Sequence, residues 1–335
     1  MIMLKAVFAA AACAMLPPVS AVAAAAEPGD YDVRLTRDLV YGRAGIEASR
    51  DRPRTRDLLL DVYRPVADGK PLANRPAVIM TFGGAFHRGS KREERFTEDG
   101  AQDSSMADYC RTFARSGYVC FSIEYRLTQE DPGLAKSIDE AKLVPKAVNL
   151  SPAALARIEI VRQRMGLPPL DDGSREQYWR SILGAADDLA MATGFVRSRA
   201  RDFGIDADRI ALGGFSAGAI TALNTAYGIG APVKAVFALS GGVSGYNLFE
   251  TVQPGMPPAL FFVAQNDLEG IQSGTRIAIA ALTAKGIAAE AAWVPGFGHF
   301  YPMGAVSLGA NVSRIPVETR ILAFLEANLG ASANE

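Results

Sequence analysis

A pentapeptide of the form Gly-x-Ser-x-Gly, at residues 214–218, constrains the fold of this chain more than any other feature. It follows the apolar segment 209–213, which predicts a buried strand, and it precedes the alanine-rich segment 219–227, which predicts a helix. A serine on so sharp a turn holds its hydroxyl above the sheet, and the flanking glycines leave room for the strained backbone. The following helix aims its N-terminal amides at the place where negative charge develops in acyl transfer. Ser216 is therefore the candidate nucleophile, and the alternative is a plain glycine-rich turn.

Two histidines are the only candidates for the base that a nucleophilic serine needs. His299 lies in a glycine-flanked loop after the strand-like segment 289–294, at the sheet edge where such sites form. His87 lies before the serine, which is the wrong order for a site of this type. We therefore predict His299 as the base and keep His87 as the weaker alternative.

Asp267 is the candidate acid that orients the histidine. It follows a continuous apolar run at 259–264, which predicts a fully buried parallel strand. Glu269 on the same loop is the competing acid, and Asp267 could instead cap the helix predicted near Ile271. Asp267 is closer to the strand end, so it is better placed to reach a histidine ring.

A pair of glycines after the strand predicted at 76–81 supplies a candidate oxyanion hole. Gly83 and Gly84 let backbone N–H groups point at a ligand without interference from side chains. With the amide of Ala217 they are the predicted donors, although a glycine pair alone is more often a turn. The neighbouring side chains that we expect to line the substrate pocket are Ala85, Phe86, His87 and Phe215.

Taken together, these motifs resemble the α/β-hydrolase superfamily, in particular its esterase/lipase branch related to hormone-sensitive lipase and bacterial feruloyl-esterase-like proteins. The matching segments are 59–65, 82–86, 89–91, 124–127, 206–210 and 214–218, with Asp267 and His299. The chain order Ser216, Asp267, His299 is the order that this superfamily uses. The resemblance implies an α/β fold with a mostly parallel eight-stranded sheet, helices on both faces, and hydrolysis through an acyl-enzyme.

The chain departs from the family pattern in the glycine loop. Phe82 stands where the family usually has histidine, and Ala85 stands in place of a third glycine. Because the usual histidine braces the loop and takes no part in the chemistry, these departures concern the geometry of the loop more than the reaction.

The composition of the chain limits the kinds of binding partner that we expect. The 335 residues are 49% apolar and 21% charged, which is typical of a soluble globular chain. A net charge of −1 gives no reason to expect nucleic acid or an anionic membrane as a partner. The sequence has neither a metal-ligand cluster nor a dinucleotide-binding fingerprint, so we expect no metal and no cofactor.

Residues 1–26 have the pattern of a signal peptide. Lys5 supplies the positive charge, residues 6–16 form an apolar core, and small residues at 21–26 offer cleavage sites. The apolar stretch is too short and alanine-rich for a transmembrane anchor, and a buried N-terminal helix is the alternative. We expect a periplasmic or secreted protein, without stable membrane insertion, whose hydrolase domain spans 27–335.

Two cysteines remain after residue 26. Cys110 falls on the helix predicted at 105–115 and Cys120 on the strand predicted at 118–124. A helix and its returning strand run antiparallel, so an exported chain could join these cysteines in a disulfide. Two buried thiols are the alternative.

Residues 128–177 are about fifty residues that an alternation of core strands and helices does not require. Ser151 and Pro152 mark the start of an amphipathic helix at 153–165, and the next core helix is expected near Tyr178. In this fold such an insert usually covers the active site as a lid, and the alternative is a surface decoration.

The sequence thus predicts an exported serine hydrolase that cleaves small-molecule or polymeric carboxylic esters. A peptidase, a polyamide or polyester hydrolase and an acyltransferase remain open, since each would use the same triad. A catalytically silent binding protein is the non-enzymatic alternative, and the presence of serine, aspartate and histidine together argues against it.

Overall fold

An eleven-stranded mixed sheet forms the centre of the computed structural model, which describes residues 31–134 and 138–330. The signal peptide predicted at 1–26 lies outside the described residues. Apart from β3, which pairs with β2, the strands follow the order β1-β2-β7-β4-β8-β9-β10-β11-β12-β13, and β5 and β6 form a separate hairpin. Their bounds are β1 Asp32–Ile46, β2 Arg54–Ala67, β3 Lys70–Pro71, β4 Arg75–Thr81, β5 Thr97–Glu98, β6 Ala101–Gln102, β7 Val119–Ile123, β8 Ile205–Phe215, β9 Ala235–Leu239, β10 Ala259–Ala264, β11 Ala289–Val294, β12 Val306–Gly309 and β13 Arg314–Pro316.

Helices cover both faces of this sheet because the central strands are apolar on both sides. In β4, Val78 and Met80 belong to one buried cluster, whereas Ala77 and Ile79 belong to the other. Helices α1 and α9 contribute to the first cluster, and α6 and α8 contribute to the second, together with the C-terminal half of α4. The helices are α1 Met106–Arg115, α2 Lys146–Asn149, α3 Pro152–Arg164, α4 Asp172–Ser198, α5 Ala200–Phe203, α6 Ala217–Leu223, α7 Leu248–Thr251, α8 Glu269–Thr283 and α9 Val317–Leu329.

In the described ranges no helix combines the length and the apolar character that a membrane crossing requires.

The predicted sheet of eight mostly parallel strands is wrong in detail, since the observed sheet is mixed. The strands β7, β4, β8, β9, β10 and β11 pair in parallel, while β1, β2 and β3 at one edge and β12 and β13 at the other pair antiparallel. Continuous apolar runs reveal central parallel strands, which are buried on both faces. Edge strands such as β1 are largely exposed or half-buried, so their apolar signal is weaker.

The insert 128–177 joins β7 to α4 and contains α2 and α3. Ser151 caps α3, since its hydroxyl accepts a hydrogen bond from the amide of Ala154, and Pro152 occupies the first turn as predicted. The next core helix, α4, begins at Asp172 rather than near Tyr178. A capping box between Asp171 and Ser174 starts the helix earlier than its apolar pattern indicates.

Cys110 of α1 and Cys120 of β7 form a disulfide, which is one of the two arrangements that the sequence left open. Gly117, at φ 89°, adopts the left-handed conformation that lets the chain reverse between α1 and β7. The reversal brings the two cysteines level with each other.

Candidate active site

The turn at Ser216 is a strained strand-to-helix elbow between β8 and α6. Ser216 has φ 53° and ψ −115°, a conformation that a non-glycine residue keeps only when its surroundings impose it. A Cβ atom on Gly214 would lie 2.4 Å from the carbonyl carbon of Gly218, and one on Gly218 would lie 2.1 Å from the oxygen of Thr81. The elbow therefore has room only for glycine at both positions.

Two hydrogen bonds join Ser216, His299 and Asp267. The Oγ atom of Ser216 lies 2.8 Å from Nε2 of His299, and Nδ1 of His299 lies 2.7 Å from Oδ1 of Asp267. His299 and Asp267 are each only 7% exposed, which strengthens electrostatic interactions between them relative to water. Ser216 follows β8, Asp267 follows β10 and His299 follows β11, so all three lie at the carboxyl edge of the parallel strands.

Ser240 is a polar contact of the acid that sequence reasoning did not assign. It follows β9, and its hydroxyl donates a hydrogen bond of 2.5 Å to Oδ2 of Asp267. The amide of Leu268 donates to the other carboxylate oxygen at 2.8 Å, and the hydroxyl of Tyr301 lies 3.2 Å from Ser240. Burial raises the pKa of Tyr301, so this hydroxyl stays protonated. The signal that would have found Ser240 is its place at the end of a strand beside β8 and β10.

The two competing candidates lie elsewhere. Glu269 is the exposed first residue of α8, whereas Asp267 reaches the histidine ring. His87 is buried, and its Nδ1 atom lies 2.8 Å from the carbonyl oxygen of Ala85 rather than near Ser216.

The glycine pair brings a loop against Ser216. We call residues 82–88 the oxyanion loop. A Cβ atom on Gly83 would lie 2.9 Å from the carbonyl oxygen of Phe215 and 3.2 Å from Cβ of Ser216. Within residues 31–134 and 138–330, no group accepts a hydrogen bond from the amides of Gly83, Gly84 or Ala217. All three predicted donors are therefore available to a ligand.

The residues that we predicted to line the substrate pocket are mostly buried. Phe86 packs edge-on against the rings of Tyr125 and Tyr178. Phe215 and His87 are also buried, and Ala85 alone is half-buried. Phe215 packs on the rings of His299, Phe300 and Tyr301, so the lining of the substrate pocket stays a prediction.

The insert reaches the loop that carries His299. Phe300 packs on the ring of His299, with centroids 5.0 Å apart, and the guanidinium of Arg157 in α3 lies 5.9 Å above Phe300. Glu98 pairs with Arg157 and Arg164, and the bond from Arg157 is the main reason that its pKa falls to about 2. Helix α3 of the insert thus contacts the loop that carries His299, and whether the insert covers the substrate stays a prediction.

Comparison with known proteins agrees with this geometry. Residues 186–264 match the family described as phospholipase/carboxylesterase, a segment that includes Ser216 and ends three residues before Asp267. No curated protein sequence matches the chain.

Among solved structures, esterase 2 of Thermogutta terrifontis phosphoramylated by tabun is 17% identical, with a TM-score of 0.52 over 90% of this chain and 94% of that chain. The same esterase phosphorylated by paraoxon gives the same identity, coverage and TM-score. At this identity the likeness shows the fold, while the family match supports a carboxylic ester hydrolase. The chain therefore has the α/β-hydrolase fold, and its residues 186–264 match a carboxylesterase family of that fold.

Proposed function

We propose that this protein is a serine hydrolase that cleaves carboxylic esters through an acyl-enzyme. The observation that carries the proposal is the pair of hydrogen bonds that runs from Ser216 through His299 to Asp267. Because Nε2 of His299 faces the serine hydroxyl, it is positioned to take the proton as Ser216 attacks the acyl carbon. Asp267 holds the other ring nitrogen and stabilises the imidazolium that forms.

The free amides of Gly83, Gly84 and Ala217 are suited to bind the oxyanion of the tetrahedral intermediate. When that intermediate collapses, His299 gives its proton to the alcohol oxygen and the alcohol leaves. Water then attacks the acyl carbon with His299 again as base, which releases the acid and restores Ser216.

A fluorophosphonate probe tests the nucleophile, because it reacts with an activated serine. We expect labelling of Ser216 alone, and Ser216→Ala should lose several orders of magnitude in kcat with an unchanged thermal midpoint. Labelling of Ser240 or Ser244 instead would overturn the assignment.

A panel of p-nitrophenyl esters of increasing acyl length, with matched p-nitroanilides, separates an esterase from a peptidase or polyamide hydrolase. We expect turnover of esters and little turnover of anilides. Preferred turnover of anilides would favour the amide-cleaving alternatives, and transfer of the acyl group to an added alcohol in preference to water would favour an acyltransferase.

We also propose that residues 1–26 direct export and that the domain 27–335 works in the periplasm or outside the cell. The pairing of Cys110 with Cys120 supports an oxidising compartment, where disulfides persist. Intact mass of the protein from the periplasmic fraction should show a chain that begins at residue 27. A full-length chain in the cytoplasm would contradict the proposal.

A further inference from the structure

His87 lies on the oxyanion loop and connects it to the insert. It is 1% exposed, and its Nε2 atom lies 3.3 Å from Nη1 of Arg162 in α3. Arg162 has no acceptor atoms and can only donate, so Nε2 must accept and the ring proton must be on Nδ1. From Nδ1 the ring donates to the carbonyl oxygen of Ala85 at 2.8 Å. The ring is therefore neutral and has a fixed tautomer, and it links α3 to the loop. We call the contact Arg162–His87–Ala85 the relay.

Arg162 is itself fixed within the insert. Its side chain is buried, and Nε donates a hydrogen bond of 3.0 Å to the carbonyl oxygen of Pro168. The guanidinium is thus held from one side by the segment after α3 and is directed at His87 on the other. A side chain held in this way can hold the loop in turn.

The oxyanion loop needs such support because its backbone is strained. Gly84, Ala85 and Phe86 have φ of 119°, 57° and 57°, and each non-glycine residue in this region costs on the order of 1 kcal/mol. Conformations of this kind persist only when the surrounding structure over-determines them.

The other bonds to the loop come from the beginning of the insert and the residues just before it. The hydroxyl of Tyr125 donates to the carbonyl oxygen of Phe82 at 2.9 Å, and Tyr125 stacks on the Phe82 ring. Thr128 donates two hydrogen bonds to the carbonyl oxygen of Phe86, one from its amide and one from its hydroxyl. Gln129 donates to the carbonyl oxygen of His87 at 3.0 Å. The beginning of the insert therefore also holds the loop through hydrogen bonds.

We propose that His87 and Arg162 are positioning residues for the oxyanion hole, and that α3 holds the amides of Gly83 and Gly84 in place through the contact Arg162–His87–Ala85. The inference rests on the proposed function for its kinetic consequences. It gives the insert a task other than covering the substrate, because without α3 the loop loses one of the contacts that fix its strained turn.

The hydrogen bond between Arg162 and His87 requires a neutral imidazole ring, so it should be lost at low pH. Burial lowers the pKa of His87 to about 4, and the positive charge of Arg162 contributes in the same direction. The groups around the ring are Arg162 and Glu159 from α3, Thr128, and the ring of Tyr178 from α4. The carboxylate of Glu159 opposes the shift but is outweighed. A protonated His87 would present a donor to Arg162, so the bond fails as pH falls towards about 4.

Arg162→Met and His87→Asn test the relay, with Arg164→Met as the matched control. Arg164 lies on the same helix, and its guanidinium pairs with Glu98 rather than with His87. Asparagine at 87 can still donate to Ala85 but cannot reach Arg162. We expect both test variants to lose about 10- to 100-fold in kcat with little change in KM, because removal of one oxyanion donor costs about 10²–10³ and here the donors are displaced. Arg164→Met should stay within about 2-fold of the wild type.

The double variant, which combines Arg162→Met with His87→Asn, shows whether the two residues act through one shared contact or independently. If Arg162 and His87 act through the same bond, the double variant should be no slower than the slower single variant. Affinity for a trifluoromethyl ketone, which forms an oxyanion on the serine, should fall in parallel with kcat. Additive losses, or wild-type kcat in both folded single variants, would overturn the proposal.

A readout that needs no activity separates this proposal from the proposed function. With ¹⁵N-glycine labelling, the amide signals of Gly83 and Gly84 should move in Arg162→Met and remain in place in Arg164→Met. Unmoved signals would overturn the relay even in an active enzyme. If the wild type hydrolyses no ester, the proposed function fails, and these signals still decide the relay.

Discussion

The triad and the oxyanion loop lie on the same carboxyl edge of the sheet but are held in different ways. Ser216, Asp267 and His299 each follow a strand of the parallel part of the sheet, and their hydrogen bonds join neighbouring strand ends. The oxyanion loop has a strained turn, and its side-chain anchors come from residues 125–129 and from α3.

Sequence distance does not explain this difference. Ser216 and His299 are 83 residues apart, and His87 and Arg162 are 75 apart. What differs is the supporting element, since buried strands hold Ser216, Asp267 and His299 while the insert and the residues just before it hold the loop. If the proposed function is right, the nucleophile and its base depend on the sheet, whereas the oxyanion hole depends also on residues 125–129 and on α3.

The largest expected effect is on the triad itself. Asp267→Asn should lower kcat by about 10⁴-fold, because an amide holds His299 in the wrong tautomer. Glu269→Gln, two residues away and exposed, is the control and should keep wild-type kcat. Steady-state kinetics with a p-nitrophenyl ester provides the measurement. An active Asp267→Asn beside an inactive Glu269→Gln would move the acid to Glu269.

The next largest effect is expected from the buried ion pair between Arg126 and Asp188. Arg126 is 1% exposed and pairs with the fully buried Asp188 of α4 at 2.8 Å, and it also donates to the carbonyl oxygens of Gly45 and Gly133. Arg126→Met leaves the carboxylate unpaired, so the free energy of unfolding should fall by about 3–5 kcal/mol in urea denaturation.

The matched control for that change is Arg43→Met. Arg43 pairs with Asp57 at 2.9 Å, but both side chains are more than half exposed. We expect a loss of about 0–1 kcal/mol. Equal losses in the two variants would show that burial does not set the strength of the pair at Arg126.

A smaller effect is expected from the support of the acid. Ser240→Ala removes the hydroxyl that donates to Oδ2 of Asp267. A hydrogen bond to a charged group contributes about 1.5 kcal/mol, which corresponds to about a 10-fold loss in kcat. Ser244→Ala is the control, because that hydroxyl donates to Asn149 away from the triad. Unchanged kcat in Ser240→Ala would mean that strand geometry alone orients Asp267.

The last prediction concerns the pH dependence of stability and rests on Asp103, a buried carboxyl just before α1. Asp103 accepts a hydrogen bond of 2.6 Å from the amide of Phe96, and burial raises its pKa to about 7. The folded carboxyl therefore keeps its proton up to about pH 7, whereas the unfolded one loses it near the ordinary value of 3.8. Because the folded state binds more protons, stability falls as pH rises through this window.

Asp103→Asn lacks this titration and should raise the thermal midpoint relative to the wild type at about pH 8, with little difference at about pH 4. Calorimetry at both pH values checks this, with the exposed Asp51→Asn as control. An advantage of the variant that is the same at both pH values would exclude ionisation of Asp103 as its cause.

The sequence determined the parts of this protein that depend on local patterns. The apolar run at 259–264 coincides with β10 residue for residue, because a strand buried on both faces must be continuously apolar. The glycines around Ser216 mark the elbow for a steric reason, since no Cβ fits at either position. Strand ends then restricted the acid and the base to very few residues.

Only the tertiary structure decided what depends on which segments meet. It distinguished Asp267 from Glu269 and a disulfide from two thiols, because both choices are matters of distance between residues on different elements. Ser240 stands at a strand end, but neither its bond to Asp267 nor the contact between His87 and Arg162 follows from a local pattern, because each joins distant segments. Their partners are brought together by the packing of strand ends and of α3, and this packing follows from the fold of the whole chain.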